Sequence, residues 1–202
     1  TSAARFTLDG VEVFPVTAAA VANALVISDT TVAGAAIRNV RVNVTGNSTG
    51  LYLTDADASV HGLTVTNSSI SGSGAGYALR LSGAVGLTAA YSVFSGGANA
   101  LYMTGTGYGA TFSKCDLGFA SDNTIEHDAA APLEVVDTNL NASDGAIAVH
   151  LVNAGAEFRW NGGALGPYIT IGTHPTDGVK REAAAPVPIL LNINVLNPAL
   201  AL

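Results

Sequence analysis

The sequence predicts an all-β chain wound as a right-handed, single-stranded parallel β-helix, with about six rungs of three short strands between an N-terminal cap and an extended C-terminal arm. The first observation is a recurrence of apolar columns, not of letters. One column reads Leu25, Leu51, Leu79, Leu101, Ile125, Val149, with a companion two residues on at Ile27, Leu53, Leu81, Met103, His127, Leu151. A second reads Ala35, Leu63, Leu87, Ala110, Leu133, Phe158, and a third Val42, Ile70, Phe94, Leu117, Leu140, Leu165, both advancing by 28, 24, 23, 23 and 25 residues. The second observation is period-two alternation inside each unit. The third is that every unit holds three strand-like runs, such as 51–54, 62–66 and 68–71, separated by Gly, Asn, Ser and Asp. A rung of this kind cannot bury its apolar face alone, so the units must stack. Propeller blades need about 40 residues per unit and leucine-rich repeats a fixed Leu and Asn spacing, and neither is present.

Taken in order, residues 1–24 contain Phe6, Leu8, Val11, Val13, Phe14 and Val16 and read as an incomplete first rung and an Ala-rich crossing that cap the open end of the helix. Residues 25–166 form the β-helix. Within it Asn39 and Asn67 stand at equivalent turns one rung apart, where a left-handed residue bends the chain between strands. The pattern stops at Gly166-Pro167. Residues 167–202 then offer a strand-like 168–171, a polar loop over 174–182 and an apolar arm with Ile189, Leu190, Leu191, Ile193, Val195, Leu196, Leu200 and Leu202. An arm this apolar must be covered, either by folding over the last rung or by packing against copies of itself in a homotrimer, and the low charge favours the oligomer.

Of the 202 residues only 11% are charged, so the surface is built from Ser, Thr, Asn, Gly and Ala, a composition suited to a stiff extracellular rod. A net charge of −7 with no basic stripe argues against a nucleic-acid partner. No apolar run approaches the roughly 20 residues of a membrane span. The single cysteine, Cys115, forms no intrachain disulfide and falls in a small inward column, Val40, Ser68, Ser92, Cys115, Thr138, Gly163, as a buried inert thiol. Asp55 and Asp57 near His61 are too few oxygens for calcium and read as a polar turn. No metal site or cofactor is expected. His127, inside an apolar column, is expected to be a hydrogen-bonded core residue.

Residues between the inward columns point outward, and stacking sets equivalent ones about 4.8 Å apart. On the first sheet the outward column is Val26, Tyr52, Arg80, Tyr102, Glu126, His150, followed two positions on by Ser28, Thr54, Ser82, Thr104, Asp128, Val152. Aromatic rings stack on the apolar faces of pyranoses, while carboxylates and arginine bind their hydroxyls. Tyr52, Arg80, Tyr102, Glu126 and His150 are therefore the expected ligand-binding residues. Glu126 and Asp128, about 6.8 Å apart by strand geometry, have a separation near that of the carboxylate pairs of glycoside hydrolysis, and are the candidate catalytic pair. On the second sheet the outward column Thr64, Thr88, Thr111, Glu134, Arg159 suggests a surface pair between the last two.

The rungs 35–42 and 62–70 resemble the right-handed parallel β-helix superfamily of pectate lyases, polygalacturonases, alginate-modifying enzymes and bacteriophage tailspikes and fibres. The likeness is one of architecture over residues 25–166 and implies that polysaccharides lie along the outward face of a sheet. It supplies no catalytic set, and the short turns here lack the long cleft-walling loops of the enzymes. The expectation is a non-catalytic spike or fibre component at a virion or cell surface that recognises a cell-surface glycan. The alternatives are a polysaccharide lyase or glycoside hydrolase using Glu126 and Asp128, and a purely structural rod.

Overall fold

In a computed structural model the chain is described over residues 6–14, 23–28, 35–142, 147–167, 177–182 and 184–195. The Ala-rich crossing, the run 168–171, the start of the polar loop and Leu196, Leu200 and Leu202 lie outside the described residues, as do the side chains of Asp55, Asp57 and His61. Every strand-to-strand register is parallel, and the strands stack as three ladders of a parallel β-helix. The first ladder runs through Asn23–Ser28, the start of Thr49–Thr66, the start of Tyr77–Ala90, Asn99–Thr106, Asn123–Ala130, Ile147–Leu151 and Asp177–Arg181. The second follows the ends of the same two long strands through Gly109–Ser113, Pro132–Val136 and Glu157–Asn161. The third links Arg41–Val42, Ser69–Gly72, Val93–Gly96, Asp116–Gly118, Asn139–Ala142 and Ala164–Pro167.

The registers reproduce the sequence columns residue for residue. Leu25 pairs Leu51, Leu51 pairs Leu79, Leu79 pairs Leu101, Leu101 pairs Ile125 and Ile125 pairs Val149. The inward side chains of all three ladders meet in one continuous core, with Leu51, Leu79, Leu101, Ile70, Phe94, Phe112, Leu117 and Trp160 fully buried. Each such side chain removed from water contributes about 1.5–3 kcal/mol. Phe94 of the third ladder meets Phe112 of the second edge-on, 5.6 Å between centroids, and so ties two faces across the core. Two strands are longer than the sequence suggests: Thr49–Thr66 and Tyr77–Ala90 pass from the first ladder to the second without a break, and register shifts around Val60 take up the bend.

The corner between the second and third ladders has a repeating chemistry. One residue per rung is left-handed there: Gly10, Asn39, Asn67, Tyr91, Lys114, Asp137, Gly162 and Asn192 all have φ between 45° and 76°. Next to it, a buried hydroxyl column does the work of a second backbone. Ser68 Oγ accepts from the Val40 amide, Ser92 Oγ from the Ser68 amide and Thr138 Oγ1 from the Cys115 amide, each at 3.1 Å. Each hydroxyl also donates to the carbonyl two residues before it, at 2.9 Å. The corner amides that face the core are thereby satisfied without water. Cys115 occupies the same column and is buried.

The winding does not stop at Pro167. Asp177–Arg181 pairs Ile147–Leu151, Ile189–Leu191 pairs Glu157–Asn161, and Asn194–Val195 pairs Ala164–Pro167, so the described part of the arm is one more rung. Val179, Leu190 and Ile193 pack against the core, while Val187, Ile189 and Leu191 face outward. The spacing to these strands is stretched by the polar insertion, which hides the period in the sequence. At the other end Thr7–Asp9 and Glu12–Val13 pair Ala36–Arg38 and Arg41–Val42.

Candidate functional site

The first ladder brings the five expected ligand-binding residues into one outward row. Val26, Tyr52, Arg80, Tyr102, Glu126, His150 and then Lys180 are successive register partners, so the row from Tyr52 to His150 spans about 19 Å at one strand spacing per rung. All five are half-buried, because neighbours on adjacent rungs shield their flanks. The row divides into three chemically distinct parts.

The first is an arginine set among tyrosines. The Arg80 guanidinium lies 4.8 Å from the Tyr52 ring centroid, 5.7 Å from that of Tyr77 and 5.8 Å from that of Tyr102. Cation–π attraction of this kind contributes about 0.5–1 kcal/mol per exposed contact. Arg80 Nε is buried, and among the described residues it has no hydrogen-bond partner and no carboxylate pairs with the guanidinium. The phenols differ in acidity. The Tyr52 hydroxyl is pulled below its ordinary pKa, chiefly by its hydrogen bond to Thr54 and further by Ser82 and the Arg80 charge. Burial pushes Tyr102 up, and the Glu126 and Asp128 charges add to that.

The second part is Glu126. Its Oε2 accepts from the side-chain amides of Asn99 at 2.9 Å and Asn123 at 3.1 Å, and Asn99 Oδ1 in turn accepts from the Asn123 backbone amide at 3.0 Å. Two amides on one oxygen fix the carboxylate, and among the described residues none bonds to Oε1. Asp128 shares the outward side of the same strand two residues on. The third part is the His150 end, where His150 Nε2 meets Glu182 Oε1 at 2.9 Å and Lys180 Nζ stands 3.7 Å from the same oxygen. The His150 hydrogen bond and the Lys180 charge hold the Glu182 carboxyl below its usual range.

Tyr77, Asn99 and Asn123 were not legible as site residues. Alternation assigns them to an inward column, which their register confirms, with Tyr77 pairing Asn99 and Asn99 pairing Asn123. At the corner where the third ladder turns into the first, however, that column reaches the rim of the outward face. Polar and aromatic types recurring at the apolar column's own spacing were the available signal. His127 is in the core as expected: Nε2 donates to the carbonyls of Ala131 at 2.9 Å and Glu157 at 3.2 Å, and burial lowers its pKa. Glu134 and Arg159 are register partners on the second ladder, but no ion pair forms between them, since two exposed side chains in water gain too little to hold one geometry. Among the described residues no three His, Cys, Asp or Glu side chains cluster to hold a metal, and no helix is long and apolar enough to cross a membrane.

No protein-family model matches the chain, and no curated protein matches it. Among solved structures it is similar to the Azotobacter vinelandii mannuronan C-5 epimerase AlgE4 A-module, with a TM-score of 0.62 at 10% sequence identity over 94% of this chain. The chain spans 53% of that module, about half its length. At this identity the likeness is one of fold, and the fold shared is the parallel β-helix.

Proposed function

We propose that the chain is a polysaccharide-binding β-helix whose ligand lies along the outward row of the first ladder. The observation that carries this reading is the set of three tyrosine rings around Arg80, continuous with the amide-fixed Glu126 carboxylate. Rings offer apolar faces to pyranoses, and the half-buried Glu126 carboxylate offers Oε1 as an acceptor at a position already fixed, which lowers the ordering cost of binding. The similar epimerase module is named for its action on mannuronan, a polysaccharide, and that supports the ligand class. The face is an open strip, so water has access to it, and preorganised charge then does little for a transition state. Non-catalytic recognition is accordingly the reading we favour.

We infer an extracellular setting, as a segment of a cell-surface or virion spike or fibre, assembled as a homotrimer through the C-terminal arm. What supports assembly is the outward Val187, Ile189 and Leu191, exposed at 74%, 47% and 52%. The mass in solution with and without residues 183–202 tests it, and an unchanged monomer in both would remove it. A second reading is a lyase or glycoside hydrolase using Glu126 and Asp128, and the two asparagine amides that orient Glu126 favour it over a purely structural rod. A glycan array combined with a reducing-sugar assay separates the readings. Binding without product supports recognition, turnover abolished by Glu126→Gln supports the enzyme, and no binding to any polysaccharide would leave a structural rod.

A further inference from the structure

A groove of about 310 Å³ opens on the outward side of the second ladder, one corner away from the Tyr52–His150 row. Half-buried Gly86 carries no side chain there, its register partner Gly109 is buried against Pro132, which also lines the groove, and the outward hydroxyls of Thr88 and Thr111, likewise register partners, stand beside them. The Tyr108 ring, 56% exposed, borders the groove, and Glu134 follows Thr111 on the next rung. Gly109 has φ 89°, which by itself asks for glycine. Gly86 is not among the left-handed residues, so the missing side chain there meets no backbone need, and a strand glycine of that kind marks a close approach by another group.

The lining has one aromatic ring, two hydroxyls that both donate and accept, and one carboxylate. None of its side chains is cationic, which disfavours an anionic ligand. We propose that this groove binds a neutral hexopyranose unit. The apolar face of the sugar lies on the Tyr108 ring, its adjacent hydroxyls donate to Glu134, and Thr88 and Thr111 exchange hydrogen bonds at its edge. The site is independent of the row on the first ladder, because it shares no residue with it.

The test is an amide spectrum of the full chain during titration with glucose, galactose, mannose and N-acetylglucosamine. At least one of these sugars is expected to shift the Gly86 and Gly109 amide signals in a saturable way. Tyr108→Ala should weaken that binding about tenfold, as loss of one aromatic contact implies. Glu134→Gln should weaken it severalfold, and Tyr102→Ala should leave it unchanged, although Tyr102→Ala would impair any glycan bound on the first ladder. The proposal is overturned if none of the four sugars gives saturable shifts at these glycines, or if Tyr108→Ala and Glu134→Gln both keep native affinity. Loss of the shifts in Tyr102→Ala would also overturn it, by assigning the sugar to the other face.

Discussion

The ring of Tyr77 lies 4.8 Å from that of Tyr102 with their planes 15° apart, although the two residues belong to different columns and adjacent rungs. The stack therefore bridges the corner column and the outward row. It also fixes the platform beside Arg80, since each ring restrains the other and the guanidinium restrains both.

If the row binds a polysaccharide, Tyr77→Ala should weaken binding as much as Tyr102→Ala, by about fivefold to tenfold, because either loss frees the remaining ring. Arg80→Lys should not rescue Arg80→Ala, as an ammonium lacks the planar surface that the three rings hold. Titration calorimetry with the best glycan from an array measures both. Equal affinity of Tyr77→Ala and the parent would show that the stack has no part in binding.

The left-handed corner column contains two poor occupants, Tyr91 and Lys114, each with φ 52°. Glycine or asparagine fits that conformation at the equivalent turns, whereas a residue with an ordinary side chain is strained there. Lys114 Nζ sits 5.5 Å from the Tyr91 ring, an exposed contact that offsets only part of the strain. Lys114→Gly and Tyr91→Asn should each stabilise by about 0.5–1 kcal/mol, or about 1–4 °C in Tm for a chain of this size. Thermal melts decide it, and a fall in Tm for both would mean that the turn is not strained.

The hydroxyl column makes two opposite expectations. Ser92→Ala removes the acceptor of the Ser68 amide in a buried setting and should cost about 1–3 kcal/mol. Cys115→Ser, in contrast, places an oxygen in the same column, and replaces the sulfur that now accepts from the Ser92 amide with the hydroxyl acceptor of the neighbouring rungs. Burial raises the Cys115 pKa, so the thiol is protonated and inert near neutrality, and its replacement forfeits no charge interaction. Chemical denaturation should find the serine variant at least as stable as the parent, and a loss near that of Ser92→Ala would refute the hydroxyl account.

How far the sequence could be read follows from which contacts repeat. Inward columns such as Leu51, Leu79, Leu101, Ile125 were legible because every rung must bury the same position, and the outward row came with them by alternation. Tyr77, Asn99 and Asn123 were not, because parity assigns a corner residue to the core while the bend turns it toward the rim. The last rung was hidden for a different reason: 30 residues separate His150 from Lys180 in the ladder, and a polar insertion interrupts the period although the strands resume their pairing. The asparagine grip on Glu126 depends on side-chain direction, which no column records.

His127 gives a stability test tied to pH. Burial among Leu81, Met103 and Leu151 lowers its pKa below the ordinary imidazole value of 6.5, and its hydrogen bonds to the Glu157 and Ala131 carbonyls oppose that shift without reversing it. The unfolded chain therefore takes up this proton first as pH falls. Stability from the neutral ring is complete above about pH 6.5 and is lost as pH drops from there toward the folded pKa, by at most about 1.4 kcal/mol per pH unit for one proton. His127→Leu should lower stability at pH 7.5, since two buried carbonyls lose their donor, and should flatten the slope between pH 6.5 and 5. Urea denaturation across that range measures the slope directly. An unchanged slope in the variant would show that the acid sensitivity arises elsewhere in the chain.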